Sequence, residues 1–204
     1  MSVFKDSPSP AVKVIFTAPV YVTEDEEKVR QAVSNIVNYG KPKNEEILPE
    51  IIETGATEKN SSCNIEEREY NAEERGYNPE EPKHNPFISD ANHNRHIKKM
   101  IFAEGNLTAL TGLHYLIRKE EIIDTAKSAL LDGMSDDGCE TSVLLNKQAA
   151  FMKKLSFPAD IEPLGSIEIE IQTETADALL RIIDWLTPPT KDGIPVFELK
   201  MNEL

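Results

Sequence analysis

The segment SIEIEIQT, Ser166 to Thr173, alternates apolar and polar residues without a break. Ile167, Ile169 and Ile171 fall on one side; Ser166, Glu168, Glu170 and Gln172 fall on the other. A strand repeats every two residues, so this text specifies a strand with one inward face and one wet face. Connections between successive strands after Thr141 are too short for parallel crossovers, which makes that part of the sheet antiparallel. The chain is therefore expected to be α+β: a mainly antiparallel sheet of four or five strands with helices gathered on one face.

The other elements follow from local pattern. AVKVIFTAPVYV, 11–22, reads as a strand, and Pro19 belongs at its end or on an edge because it cannot donate to a ladder. Thr23 and Glu26 have capping-box spacing before a helix whose stripe is Val29, Val33, Ile36 and Val37, closed by Gly40. A strand around Ile97, Met100 and Phe102 ends at Gly105, and Asn106 caps a helix to Lys119 with Leu110, Leu113 and Ile117 inside. A second helix carries Ile122, Ile123, Ala126 and Leu130 and stops at Gly133. ETSVLLN and AAFMKKLSF read as two strands joined by a hairpin at Asn146-Lys147-Gln148. Thr175 opens a last helix with Leu179, Leu180, Ile183 and Leu186 inside and Trp185 as a core anchor, ended by Pro188-Pro189.

A length of 204 residues suits one domain with an insertion, or two very small domains. We expect the first: a single α+β domain over 11–196, interrupted at 40–97. The interruption is poor in aliphatic residues and rich in Glu, Asn and Pro, the composition of a mobile loop, with a short helix over Glu45–Ile52 as one option. Its thirteen acids against seven bases supply −6 of a net charge of −14. The charge itself speaks to solubility, or to a salty cytoplasm, rather than to a site.

Several chemistries find no support. Cys63 and Cys139 lie far apart with no motif spacing, a usage that fits a reducing cytoplasm. No apolar run is long enough for a membrane span, and MSVFKDSPSPAVK lacks a signal-peptide core. His93, His96 and His84 offer one end of a zinc pattern but not the other, so no metal is expected. No phosphate-cradling glycine loop or nucleophile elbow is present, and no cofactor or enzymatic activity is read.

One stretch departs from the acidic background. From Thr141 to Ala159, 19 residues pass without a carboxylate, while Lys147, Lys153 and Lys154 fall inside. Arg118 and Lys119 end one helix and Lys127 lies on the next. The bland reading is that these lysines serve solubility or protect a sheet edge. The sharper reading is a local basic surface.

Ala18-Pro-Val-Tyr-Val-Thr-Glu-Asp25, Ile122-Ile-Asp-Thr-Ala-Lys127 and Leu145-Asn-Lys-Gln-Ala-Ala150 sharpen the choice. So do Pro163-Leu-Gly-Ser-Ile167, Ile183-Asp-Trp-Leu-Thr-Pro188 and Thr190-Lys-Asp-Gly193. In this order they resemble a family of small archaeal proteins known as predicted RNA-binding, in places as predicted exosome-associated, over about 11–38 and 98–196. The resemblance implies a fold like that of the ribosomal protein that grips 5S RNA. Two departures stand out: Lys127 in place of an expected Arg, which loses a bidentate phosphate fork, and the acidic insertion.

The expectation is a non-enzymatic, cytoplasmic, RNA-associated protein. Arg118, Lys127, Lys147 and Lys154 would contact phosphate, with Asn146 and Gln148 offering amides. With aromatic residues at 6%, a structured or backbone-read RNA fits better than a stacked single strand. The alternative is a protein-interaction module, in a form that allows a homodimer, docking on RNA-processing or translation machinery.

Overall fold

A computed structural model describes residues 12–53, 97–158, 162–191 and 194–204. Five strands form one sheet: β1 (Val12–Tyr21), β2 (Glu50–Glu53), β3 (Ile97–Gly105), β4 (Glu140–Leu145) and β5 (Ile167–Thr173). Their spatial order is β2-β3-β1-β5-β4 and every pairing is antiparallel. The helices are α1 (Glu26–Val37), α2 (Thr111–Lys119), α3 (Ile123–Asp132), α4 (Lys147–Phe151) and α5 (Ala176–Leu186). A small hairpin, β6 (Thr190–Lys191) with β7 (Ile194–Pro195), follows α5. No described helix is long and apolar enough to cross a membrane.

The period-two text of β5 does what it specifies. Ile167, Ile169 and Ile171 are fully buried, and they share one core with Val14, Phe16, Ala18 and Val20 of β1. The helices contribute Val33 and Ile36, Leu113 and Ile117, Ala126 and Leu130, and Leu179 and Ile183 to that same cluster. The opposite sheet face, through Ile15, Thr17, Glu168 and Glu170, stays partly open to water. Pro19 sits where its missing donor matters least: β5 pairs with β1 only as far as Thr17, so β1 is half an edge beyond it.

Three local expectations are corrected. The N-cap of α1 is Asp25, whose carboxylate accepts from Glu27 N; Thr23 and Glu24 form a turn in which Glu24 accepts from Tyr21 N. Glu45–Ile52 is not a helix but a short 3-10 turn, Lys43–Glu45, and then edge strand β2, with Pro49 between them breaking helical continuity. In α5 the inward residue beside Ile183 is Ile182, while Leu180 is exposed. Leu180 stands 100° around the helix from buried Leu179, which carries it past the edge of the stripe.

The hairpin at Asn146-Lys147-Gln148 is also corrected. The segment is the first turn of α4: Asn146 Oδ1 accepts from Ala149 N and caps the helix. A two-residue hairpin needs positive φ at its centre, which Asn-Gly or Gly-X supplies and Asn-Lys-Gln does not. Residues 152–158 then continue as loop, with Asn146 N donating to Ser156 O. The larger part of the 40–97 insertion, 54–96, lies outside the described residues, as do His84, His93, His96 and Cys63.

Candidate nucleic-acid interface

The acid-free window builds a corner with two unlike sides. At its inner side Lys147 is buried, and its Nζ donates to the carbonyls of Pro19 and Leu164 and to the Glu24 carboxylate. The same ammonium lies 5.3 Å from the Tyr21 ring centroid. Gly165 at φ +67 lets the Leu164 loop come down here, since an added Cβ would meet Pro19 Cγ at 2.8 Å. Burial outweighs the pull of Glu24 and sets the Lys147 pKa below the ordinary lysine value. Three segments that carry the family resemblance, 18–25, 145–150 and 163–167, thus meet at one ammonium.

The outer side is free. Asn35 of α1 donates its amide to the carbonyls of Ala150 and Phe151, which closes the C-terminal end of α4. The chain then turns through Lys153, at φ +58, and leaves Phe151 41% and Met152 68% exposed. Gln148, Lys153 and Lys154 are exposed beside them, and no ion pair engages either lysine among the described residues.

The remaining resemblance segments meet at the end of α5. Arg118 Nη1 donates to Leu186 O and Nη2 to Trp185 O, while Nε reaches Glu198 Oε1 at 3.2 Å. Lys127 pairs with Asp184 at 3.1 Å and Thr190 Oγ1 donates to Asp124 at 2.7 Å. His114 stacks on Trp185 with centroids 4.6 Å apart. Burial first, then the Arg118 charge, lowers its pKa to about 4, so it is neutral at pH 7.

The six residues expected at an RNA surface therefore divide. Arg118, Lys127, Asn146 and Lys147 spend their polar groups on bonds within the fold: Asn146 caps α4 and donates to Glu162, and the other three join segments distant in sequence. Gln148 and Lys154 remain exposed at the corner. Phe151 and Met152 were expected in a strand and come out instead at the surface. Asn35 and Glu24 carry no local signal of their roles, because their partners lie more than a hundred residues away. Among the described residues no group of His, Cys, Asp and Glu could hold a metal ion.

No family model matches the chain. A UPF0201 protein of Methanopyrus kandleri is 33% identical over 195 residues, 94% of each chain. One from Methanosarcina acetivorans is 45% identical over 100 residues, which are 48% of this chain and 61% of that protein, less than two thirds of its length. Among solved structures, the UPF0201 protein from Methanococcus jannaschii superposes with a TM-score of 0.60 at 23% identity, over 91% of this chain and 99% of the other. A further UPF0201 crystal structure gives a TM-score of 0.55 at 21% identity, over 90% and 99%. Those two likenesses establish the fold. The near full-length identity to the Methanopyrus protein establishes the relationship, and this chain belongs to the archaeal UPF0201 family.

Proposed function

We propose that this protein is a non-enzymatic, RNA-associated protein of the cytoplasm that touches RNA backbone at the corner following α4. The observation that carries the reading is the pairing of two unengaged lysines, Lys153 and Lys154, with exposed Phe151 and Met152 in a window without carboxylates. Phosphate contacts act within about a Debye length, roughly 8 Å at physiological salt, so local charge governs them more than the total of −14. Gln148 adds an exposed amide. The resemblance to a predicted RNA-binding, predicted exosome-associated family, and to the fold of the 5S-RNA-gripping ribosomal protein, supports the same reading.

Narrowing the contact set to the corner has a physical reason. Lys147 cannot reach phosphate without leaving Glu24 alone in a buried site, and Arg118 would have to give up both α5 carbonyls. A second reading, docking on a protein of an RNA-processing or translation assembly, draws on the apolar exposure of Phe151 and Met152. Salt separates the two: phosphate neutralisation makes affinity fall steeply between low and physiological salt, whereas an apolar contact changes little. Binding of a structured RNA, measured by fluorescence anisotropy across a salt series, is expected to give the steep slope.

A further inference from the structure

Gly112 decides how α2 meets α1. A Cβ there would stand 2.1 Å from Ile36 O and 3.1 Å from Tyr39 N, so only glycine lets α2 lie against the end of α1. That approach sets Tyr115, one turn further along α2, over Tyr39: the rings stack with centroids 5.2 Å apart and planes 27° from parallel. Lys119, a turn beyond, brings its ammonium to 5.3 Å from the Tyr39 centroid.

Tyr115 is nevertheless 56% exposed. Tyr39 covers one side of its ring, so among the described residues the exposed area lies on the opposite face and the edge. A large ring held rigid by a second ring, with one open face and an ammonium alongside, is how single-stranded nucleic acid is gripped: bases stack on the ring and phosphates meet the cation. Glu120 lies 3.8 Å from Lys119, a long ion pair with Lys119 exposed and Glu120 half-buried, and such a pair yields to a better anion. The location adds to the case. Asn35, which holds the lysine corner through Ala150 and Phe151, lies in the last turn of α1, and Tyr39 follows just past the end of that helix.

We propose that the Tyr39–Tyr115 pair is a stacking platform for an unpaired nucleotide. The base lies on the open face of Tyr115, its phosphate lies against Lys119, and neighbouring backbone is held by Lys153 and Lys154. This rests on the RNA reading above and deepens it. The RNA carries unpaired bases, which the scarcity of aromatic residues argued against because it counts rings without placing them.

The test uses the full chain with two probes, a single-stranded oligouridine and a blunt RNA duplex of equal charge, at low salt. Tyr115→Leu keeps the apolar cover on Tyr39 and removes the π-face; Tyr115→Phe keeps both. Leu is expected to weaken the single strand about fivefold or more while leaving the duplex unchanged, and Phe to bind as wild type. Ultraviolet crosslinking of wild type to the oligouridine is expected to label the peptide holding Tyr115. Equal binding of both probes by wild type and Tyr115→Leu overturns the platform while leaving the lysine corner intact. Loss of both probes on changing Lys153 and Lys154 to Glu supports that corner; absence of all RNA binding by wild type overturns both.

Discussion

Lys147 Nζ lies 3.0 Å from the Glu24 carboxylate, with the two side chains only 8% and 11% exposed. The pair locks the turn before α1 to the start of α4, and the Pro19 and Leu164 carbonyls accept further hydrogen bonds from the ammonium. Lys147→Met would leave Glu24 charged, buried and unpaired, at a cost of about 3–5 kcal/mol. Adding Glu24→Gln should recover part of that loss, since the stranded charge goes with it. Urea melts of the two single variants and the double variant form the cycle; a simple sum of the two costs would show that the groups do not interact.

Much of this was legible in the text, and the exceptions share a cause. Ile167, Ile169 and Ile171 are buried as their alternation requires, and Thr175 caps α5. The residues that misled were those whose settings are non-local. Lys147 reads as a surface cation because nothing near it in sequence is acidic, yet its carboxylate is 123 residues away. The acid-free window was a true signal with two meanings. One of its lysines is buried in the fold and two are exposed at the surface.

Trp185 is 4% exposed, closed over by His114 and flanked by the carbonyls that Arg118 holds. Trp185→Ala should cost about 3–5 kcal/mol, the range for large aromatic truncations in cores. A thermal melt would show it as a fall of many degrees. An unshifted melt combined with lost RNA binding would make this tryptophan a contact residue instead.

His114 should impose a pH dependence. Its pKa is about 4 in the fold against 6.5 unfolded, so between these values the unfolded chain binds the proton more readily. The stability it contributes is complete above pH 6.5 and is lost as pH falls to about 4. His114→Gln should flatten that part of the curve relative to wild type in denaturant melts at pH 4.5 and 7. Parallel curves would mean the ring titrates normally.

Across the open sheet face, Glu170 is crowded by Glu140 and Glu168. Burial first, then these two charges, raises its pKa. The carboxylate form is therefore disfavoured in the fold, so Glu170 adds stability when protonated and loses it as pH rises through its folded value. Glu170→Gln should stabilise the protein at pH 7 by a few tenths to about 1 kcal/mol. The gain should shrink in acid, and a loss of stability at pH 7 would contradict the reading.

The central claim is that an acidic protein touches RNA through the corner after α4, and retention of a structured RNA at about 50 mM salt tests it most directly. Changing Lys153 and Lys154 to Glu should remove retention while leaving the circular-dichroism melt in place, because both side chains are exposed. Changing Lys191 and Lys200, equally exposed and outside the window, to Glu alters net charge by the same amount and should leave most retention intact. If the two double variants retain RNA equally, or wild type retains none, the corner is not an RNA surface.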